Sequence, residues 1–411
     1  ARMFRGTRSV LSVGAAGVAA VLLAAAIPSP AADGGALAPS WDKGLVLQTA
    51  DKEFRIRVGG RIHQDWTFFT SQSDSLTRRF GDLQDGTEFR RARIHVDGIA
   101  YGTTEWRAEF DFGGGDASFR EVYIGLRGVP GLSTLRLGHM QEPFSLEEIT
   151  SSNYLVFHEY GLAGVFTPAY NAGLLLSGTF YSGRAGWAAG VFRDSDNYGK
   201  NSGDGKYAFS GRVVFAPAYS KEQKRVIHLG FSGSTRNPNG GVVRYSRKPE
   251  VNLAPNFVST PGIAAERVNL FGVETLVSQG HFFAQAEGIG SRVTRTGGGS
   301  ATFTGGYAYA GWFLTNDHRP YKPGQGVADR VVPTRNFDPR KSEWGALAVA
   351  ARVSYLDLDD SGIKGGTLTD GTLGFDWFLN PNTSVKAGYV IARPKGAGAM
   401  SAFQLRAQFD F

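Results

Sequence analysis

The sequence predicts an all-β fold, a transmembrane antiparallel β-barrel of about sixteen strands, and three observations lead to that prediction. Long stretches alternate apolar and charged residues with a period of two, which sends successive side chains to opposite faces of a strand. The 411 residues include 56 glycines, 12% aromatic residues and no cysteine, a composition that suits barrels and propellers. Beyond residue 32, no apolar stretch approaches the roughly 20 residues that a membrane helix needs.

The first 32 residues have the composition of a secretory signal peptide. Arginines at positions 2, 5 and 8 form a basic start, residues 10–27 are small and apolar, and residues 28–32 offer a small-residue cleavage site near Ala31 or Ala32. The alternative is a signal anchor or a single membrane helix, which a run rich in Ala and Gly that ends at prolines disfavours. We therefore predict a signal peptide at 1–32, a short periplasmic leader at 33–53 and a barrel at 54–411.

The stretch 54–68 shows most clearly the alternation on which the barrel prediction depends. One face carries Phe54, Ile56, Val58, Gly60, Ile62, Gln64, Trp66 and Phe68, and the other carries Arg55, Arg57, Gly59, Arg61, His63, Asp65 and Thr67. In a soluble sandwich the apolar face would meet a core and the arginines would meet water. In a transmembrane barrel the apolar face meets lipid and the arginines line a wet lumen.

Fifteen further strands with this pattern follow along the chain. They are predicted at 88–100, 104–112, 119–126, 134–140, 173–181, 184–192, 207–216, 225–235, 266–277, 281–293, 301–314, 345–356, 366–379, 383–393 and 401–411. With the first strand this makes sixteen, an even number that lets both ends of a barrel close. A sandwich core rarely needs so many long strands with a charged residue opposite nearly every apolar one, so the barrel is favoured.

Aromatic residues near the strand ends indicate the interfacial girdles of a membrane barrel. The set predicted to face outward comprises Trp66, Phe68, Trp106, Tyr307, Tyr309, Trp377, Tyr389 and Phe411. The last strand alternates almost without error and ends on an aromatic residue, which resembles the assembly signal of outer-membrane barrels. The alternative for this strand is an ordinary edge strand of a soluble sheet.

Three long segments interrupt the strands, at 141–171, 236–265 and 315–344. If the chain enters the barrel from the periplasm, the connections from odd to even strands are extracellular. The first two segments then lie outside and the third lies on the periplasmic side. Because periplasmic connections are normally short, we expect the third segment to pack into the mouth of the barrel.

Arginine is the residue that the inward faces share. Its planar fork suits oxyanions and stays charged, and rings of Arg or Lys make a wide pore favour anions. The candidate anion path consists of Arg55, Arg57, Arg61, Arg90, Arg91, Arg93, Arg107, Arg136, Arg212, Arg352 and Arg406. The alternative is that these arginines pair with Asp97, Glu105, Glu109 and Asp111 across the strands and only solvate the lumen.

Several short motifs, in order along the chain, resemble the phosphate-selective porins of the O and P type. The matching pieces are Phe89-Arg90-Arg91-Ala92-Arg93, Leu135-Arg136-Leu137-Gly138, Glu142-Pro143-Phe144-Ser145, Arg319-Pro320-Tyr321, Val332-Pro333, Ala351-Arg352-Val353-Ser354, the run at 373–382 and Phe403-Gln404-Leu405-Arg406. The resemblance implies a trimeric sixteen-stranded porin in the outer membrane of a Gram-negative-type bacterium. It also implies a channel for small inorganic anions that long loops and one periplasmic connection narrow.

One departure from the resembling proteins concerns their inward-folded loop, which carries lysines. Here residues 141–171 contain no Lys or Arg and instead carry Glu142, Glu147, Glu148 and Glu159. Arginines of the wall, or Arg236, Arg244 and Arg247 of the second long segment, could compensate. We therefore predict an anion-preferring porin, with phosphate or other small oxyanions as candidate substrates.

Other functions find less support in the sequence. The alternatives are a general diffusion porin, or a non-conducting outer-membrane barrel that acts as an adhesin or an enzyme. The sequence shows no nucleophile motif and no phosphate-cradling Gly loop, so no enzymatic activity and no cofactor are predicted. No metal site is predicted, and an exported chain embedded in outer-membrane lipid is not expected to bind nucleic acid despite its net charge of +7.

Overall fold

A computed structural model describes residues 36–203 and 206–411, and the predicted signal peptide at 1–32 lies outside the described residues. The chain forms a closed antiparallel barrel of sixteen long strands, as the sequence predicted. Its first eight strands are β1 (Arg55–Gln72), β2 (Gly86–Ala100), β3 (Thr104–Asp111), β4 (Ser118–Arg127), β5 (Thr134–Gln141), β6 (Tyr170–Phe180), β7 (Ala185–Arg193) and β8 (Ala208–Ser220).

The second half of the barrel contains most of its longest strands. These are β9 (Arg225–Arg236), β10 (Ile263–Gln279), β11 (Phe282–Arg295), β12 (Ser300–Phe313), β13 (Ala346–Asp360), β14 (Ile363–Phe378), β15 (Thr383–Pro394) and β16 (Met400–Asp410). The barrel closes where β16 pairs with β1, from Met400 opposite Gln72 to Asp410 opposite Arg61. The predicted strands all exist, and their ends differ from the prediction by a few residues because side-chain alternation does not mark where hydrogen bonding stops.

Burial along β1 shows which face is which. Ile62 and Trp66 are 43% and 49% exposed on the outside of the barrel, whereas Arg61 and His63 are 8% and 0% exposed. The apolar side chains therefore face the surroundings of the barrel and the charged ones face its interior. This arrangement is the reverse of a soluble protein and is typical of a barrel in lipid.

The connections identify the two ends of the barrel. At one end, 101–103, 181–184, 221–224, 280–281 and 379–382 are short turns. The same end also carries the long connection 314–345. At the other end lie four longer connections, 73–85, 142–169, 194–207 and 237–262, besides short turns such as 296–299 and 361–362. Because short turns are typical of the periplasmic side, the first end is periplasmic and the second is extracellular.

The residues before and after the barrel meet at its periplasmic end. Gly60 N donates to the carbonyl of Phe411 at 2.7 Å, and Phe411 N donates back to Gly60 at 3.0 Å. The predicted leader contains a short strand, Leu45–Gln48, which pairs with residues 55–58 of β1, and Ala38–Trp41 pairs with it in turn. This hairpin extends the sheet along the edge of β1 that β16 leaves free.

The connections also contain short elements that alternation could not predict. An α-helix at Asp74–Phe80 lies in a segment predicted as a loop; it has an acidic residue in its first turn and Arg78 and Arg79 in its last, which suits the helix dipole. The others are the helix Leu146–Ile149, the 3-10 turns Ser152–Tyr154, Leu162–Phe166, Asn239–Gly241 and Pro339–Lys341, and the two-residue strands Val242–Val243, Ser246–Arg247, Val258–Ser259, Tyr321–Lys322 and Val327–Ala328. Among the described residues, no helix has the length and apolar character needed to cross a membrane.

Part of the predicted aromatic girdle is wrong. Tyr307 and Tyr309 on β12 face the lumen and are 5% and 6% exposed, while Ala308 and Ala310 face outward. The hydroxyl of Tyr309 donates to Gln285 at 2.9 Å and that of Tyr307 donates to Glu287 at 3.1 Å. A buried tyrosine hydroxyl usually finds a hydrogen-bond partner, and here the partners lie inside the barrel. Alternation along one strand does not reveal partners on a neighbouring strand.

Candidate functional site

Three long segments fold into the lumen and define the candidate site; the sequence predicted this for the third segment, and the family resemblance implied it for long extracellular loops. We call residues 142–169 the first inward loop, residues 237–262 the second inward loop and residues 314–345 the periplasmic segment. The first two enter from the extracellular end and the third enters from the periplasmic end. Together with the inner wall they decide which groups a permeating solute meets.

The first inward loop leaves β5 and crosses the lumen to the opposite side of the barrel. Arg61 on β1 donates to Ser152 at 2.9 Å, and His63 lies 3.1 Å from Asn153. Lys386 on β15 donates to the carbonyl of Leu155 at 2.8 Å. The loop is therefore held by side chains from β1 and β15, far from the strand that it follows in sequence.

The carboxylates of this loop form ion pairs with guanidinium groups of the barrel wall. Glu142 accepts from Arg236 at 2.6 Å, and Glu159 accepts from Arg90 through two bonds of 2.7 and 2.8 Å. Burial by itself would raise the pKa of Glu159, but the charge and hydrogen bonds of Arg90 hold this pKa well below its ordinary value. Glu159 is thus a fixed negative charge beside the arginines of β2.

Glu147 in the same loop has the opposite electrostatic balance. Its carboxylate lies 3.1 Å from Arg352 and accepts from Gly161 N at 2.8 Å. Complete burial still outweighs these contacts and raises the pKa of Glu147 to about 7. The protonation of this residue therefore changes near neutral pH.

The second inward loop joins the first on the same wall. Glu250 receives the guanidinium of Arg352 at 2.5 Å, so that Arg352 connects both loops to β13. Arg247 donates to the carbonyls of Tyr160 and Gly161, each at 2.7 Å. Arg247 is thus engaged by backbone carbonyls instead of carboxylates.

The periplasmic segment packs against β8 and β9 from below. Arg212 donates to the carbonyls of Gln325 at 3.0 Å and Gly326 at 2.7 Å, and it also pairs with Glu274. His228 lies 2.7 Å from the hydroxyl of Tyr321. A salt bridge between Arg330 and Asp410 ties the segment to β16.

These contacts divide the arginines predicted for the anion path into two groups. Arg61, Arg91, Arg93, Arg212, Arg352 and Arg406 are buried against the inward segments or against other wall residues. Arg55, Arg57, Arg90, Arg107 and Arg136 keep 15–28% of their side chains exposed. The second group lies on β1 to β5, and we call this wall, on which arginines keep contact with water, the open side of the lumen.

Carboxylates accompany the arginines of this open side. Asp97 lies 2.6 Å from Arg57 and 3.2 Å from Arg107. Arg61 and Arg93, which are opposite each other in register, both lie 3.4 Å from Glu109. Two further pairs are Arg93 with Asp111 at 2.8 Å and Arg136 with Glu105 at 2.6 Å. The ion pairs weighed as an alternative at the sequence level are thus present in the structure.

Arg91 differs from these arginines because it has no such partner. Among the described residues its guanidinium makes no salt bridge or hydrogen bond; its Nε and Nη1 are buried and unsatisfied, and it lies 5.9 Å from the ring of Tyr160. His63, opposite it in register, has an unsatisfied Nδ1. Arg61 Nε, two positions before His63 on β1, and Arg406 Nη1, opposite Asp65 in register on β16, are also unsatisfied.

Two β-bulges turn arginines into the lumen, namely Arg90 of the predicted anion path and Arg120, which was not predicted. Where His63 pairs with Arg91 and Gln64 with Phe89, Arg90 is the extra residue, and it reaches Glu159. A second shift between Ala108 and Phe110 lets Arg120 of β4 turn inward to Asp111 at 3.1 Å. Bulges re-aim side chains in this way, and strict alternation along β4 had concealed Arg120.

The comparisons with known proteins agree with this architecture. The family model described as phosphate-selective porin O and P matches residues 56–411. Porin O of Pseudomonas aeruginosa is 26% identical over 402 residues, which cover 88% of each chain. An uncharacterized protein of Caulobacter vibrioides is 28% identical over 364 residues, 84% of this chain and 70% of its own.

Solved structures support the fold. An anion-selective porin from Comamonas acidovorans aligns with a TM-score of 0.53 at 12% identity, over 87% of this chain and 100% of its own. An OmpT loop-deletion mutant of Vibrio cholerae aligns with a TM-score of 0.56 at 12% identity over the same shares. At this identity the likeness concerns the fold alone.

Proposed function

Because the chain belongs to the family of phosphate-selective porins O and P, and is therefore an outer-membrane channel and not an enzyme, we propose that its lumen prefers small anions. The preference would arise from guanidinium groups on the side of the lumen formed by β1 to β5. Fixed positive charge beside a low-dielectric wall concentrates anions and excludes cations.

The observation that carries this proposal is the guanidinium of Arg91, which has no partner among the described residues. A buried charge without a partner is costly, and an anion that reaches it offsets that cost. Free N–H groups of Arg61 and Arg406 lie on β1 and β16, the next two strands beside β2. A small anion here would find several donors that the protein itself leaves unsatisfied.

The path that leads to this place follows the open side of the lumen. Apolar residues of the inward loops fill the other side: Phe144, Leu162 and Phe166 pack in one cluster with residues of β10 to β16, and Phe157 packs in another with β11 to β14. Arg57, Arg107 and Arg136, in contrast, retain contact with water. We therefore assign the permeation path to the wall formed by β1 to β5. To Arg212, Arg352 and Arg406 we assign a structural role, which is to hold the inward segments in place.

The ion pairs along this path favour a second candidate function, a general diffusion porin. Asp97, Glu109 and Asp111 neutralise much of the arginine charge, and the first inward loop contributes carboxylates instead of lysines. A neutralised wall discriminates weakly between ions. Phosphate specificity accordingly requires direct evidence, for which a phosphate titration of the chloride current is suited.

The test is the reversal potential of the purified protein in a planar bilayer with a KCl gradient. We expect a reversal potential on the anion side, and a clear fall of the chloride-to-potassium permeability ratio in Arg91→Gln. Arg335→Gln, an exposed arginine of the periplasmic segment, is the matched control and should behave as the parent protein. A cation-side reversal potential, or equal ratios in Arg91→Gln and the parent, would contradict the proposal and favour the general porin.

We also propose that the protein is a trimer and that β3 to β5 form the contact between protomers. β3 and β5 have 8 residues each, whereas a strand that spans the apolar layer needs about 9–11 residues. Ile124 and Leu137 on this side point outward and are 65% and 64% exposed. Strands β3 and β5 of this wall are too short to span the apolar layer of the membrane, and neighbouring protomers would cover its apolar side chains.

A further inference from the structure

Two guanidinium groups lie on the outer face of the barrel, near the extracellular ends of β10 and β11. Arg267 and Arg292 are both exposed. Within 36–203 and 206–411, neither makes an ion pair or a side-chain hydrogen bond. Arginines on the outside of a membrane barrel are unusual, since a cation at the midplane costs about 2–4 kcal/mol and one near the interface about 0–1 kcal/mol.

The strand register brings other polar groups to the same place. Asn269 on β10 is opposite Arg292, and Arg267 is opposite Thr294. On the other side of β11, Thr302 of β12 is also opposite Arg292. We call these five residues the outer polar patch. Two carboxylates lie next to it, Glu266 at the bulge beside Arg267 and Asp360, which accepts from Thr302 N at 2.6 Å, and among the described residues neither pairs with Arg267 or Arg292.

The position of the patch along the strand corresponds to the boundary of the membrane. On β11, the outward face runs from Phe282 at the periplasmic end to Arg292, ten residues later. At about 3.4 Å per residue and a tilt of about 40°, this distance is roughly 26 Å along the membrane normal, close to the apolar band of about 25 Å. Trp312, opposite Phe282 and 50% exposed, marks the periplasmic boundary.

The wall directly below the patch has room for an acyl chain. Gly290 and Gly288 follow Arg292 on the outward face of β11, and a Cβ added at Gly290 would meet no atom within 4 Å. Phe271 on β10 is 64% exposed and Tyr355 on β13 is 44% exposed, so they border this low strip. The strip provides space for an apolar chain, and the two arginines favour a ligand with a negative charge.

We propose that the outer polar patch binds the phosphate of an anionic lipid in the outer leaflet, with an acyl chain along the strip below it. Arginine suits phosphate because its planar fork donates two parallel hydrogen bonds. A lipid is the occupant that fits here because β10 and β11 have 17 and 14 residues and span the full apolar layer. The wall proposed for protomer contact, β3 to β5, is a different one.

The test is native mass spectrometry of the delipidated full-length protein titrated with diphosphoryl lipid A and, separately, with its phosphate-free form. The double variant Arg267→Gln/Arg292→Gln removes both guanidinium groups. Arg225→Gln is the matched control, because Arg225 is exposed on the outer face of β9 at the periplasmic end. Heat-modifiable migration in gel electrophoresis shows whether each variant is folded.

We expect the parent protein and Arg225→Gln to bind diphosphoryl lipid A at least tenfold more tightly than the phosphate-free lipid. The double variant should lose that difference while its chloride conductance is unchanged. Equal binding of the two lipids by the parent protein would overturn the proposal, even if the double variant failed to fold. So would undiminished binding by the folded double variant, or a loss of trimers in that variant, which would indicate a protomer contact instead.

Discussion

Arg352 on β13 and Glu147 in the first inward loop form an ion pair of 3.1 Å across the lumen, although 205 positions separate them in the chain. The same guanidinium binds Glu250 of the second inward loop. One wall residue thus fixes two loops that enter the barrel independently.

Replacing Arg352 should release both loops. In Arg352→Gln, Glu147 and Glu250 lose their common cation, and breaking a buried pair in this way typically costs about 3–5 kcal/mol. We expect larger and noisier single-channel currents, together with a lower temperature of barrel unfolding by heat-modifiable migration. Arg335→Gln serves as the control, and unchanged current noise in a folded Arg352→Gln protein would contradict the anchoring role.

The Glu159 carboxylate should reduce anion selectivity, because it neutralises Arg90 and lies 3.5 Å from Arg406. In Glu159→Gln, the side chain keeps its size and hydrogen-bonding ability but loses its charge. We therefore expect the chloride-to-potassium permeability ratio of Glu159→Gln to be higher than that of the parent protein. In Arg90→Gln we expect the ratio to be lower than that of the parent protein. The reversal potential measures both changes, and shifts of the same sign in the two variants would disprove the assignment.

The attachment of the first inward loop should depend on pH through Glu147. Burial raises the pKa of this carboxyl to about 7 from an ordinary value of 4.5, so the folded protein holds a proton between these values that the released loop does not. The stability gained from this proton is present below pH 4.5 and is lost as the pH rises through 7. Since one pKa unit corresponds to about 1.4 kcal/mol, the loss is on the order of 3 kcal/mol.

Hydrogen exchange of residues 142–169 at pH 5 and pH 8 measures this dependence. Exchange corrected for its intrinsic pH dependence should be faster at pH 8. Glu147→Gln should remove most of the difference, since Gln does not titrate, while Arg352, Glu250, Glu287 and Arg247 remain around the site. Equal corrected exchange at the two pH values in the parent protein would rule out this role of Glu147.

The periplasmic segment should depend on Arg212 for its position. Arg212→Ala removes the bonds to Gln325 and Gly326 and leaves the buried Glu274 without its guanidinium partner. We expect faster trypsin cleavage after Arg330 within this segment, detected by mass spectrometry of the fragments. Arg340→Ala, an exposed arginine of the same segment, should cleave there at the parent rate, and similar rates in the two variants would argue against the anchor.

Protomer contact through β4 and β5 predicts an asymmetry between the two sides of the barrel. Ile124→Asn/Leu137→Asn places polar groups on the proposed contact, and we expect loss of the trimer in chemical cross-linking and native electrophoresis. The matched variant Phe231→Asn/Phe271→Asn changes two equally exposed residues on β9 and β10 and should remain trimeric. Trimers that persist in the first variant and disappear in the second would place the contact on the other side.

The sequence was sufficient to predict the barrel because the residues of each strand alternate between an apolar face and a charged face. A residue such as Trp66 or Arg61 shows from its neighbours two positions away which face it belongs to. Sixteen such segments, the even count and the three long interruptions then determined a closed barrel with inward segments. None of these inferences requires knowledge of which residues are in contact across the lumen.

The functional site was less predictable because it depends on exceptions to alternation and on distant partners. The bulges that turn Arg90 and Arg120 inward are decided by pairing with the neighbouring strand. Tyr307 was expected to face lipid, but it has a partner in Glu287, twenty residues away in the chain. These are properties of pairs of strands, and a single strand does not contain them.

The sequence by itself determined the strands, their oily and charged faces and the supply of arginines, because the period of two is a local property of the backbone. Only the tertiary structure decided which arginines are neutralised by carboxylates, which ones hold the loops and why Arg91 has no partner within 36–203 and 206–411. The physical reason is that the strength of a charge in a protein depends on the groups within a few ångströms of it. In this barrel, folding brings those groups from loops and strands that are up to 341 positions apart.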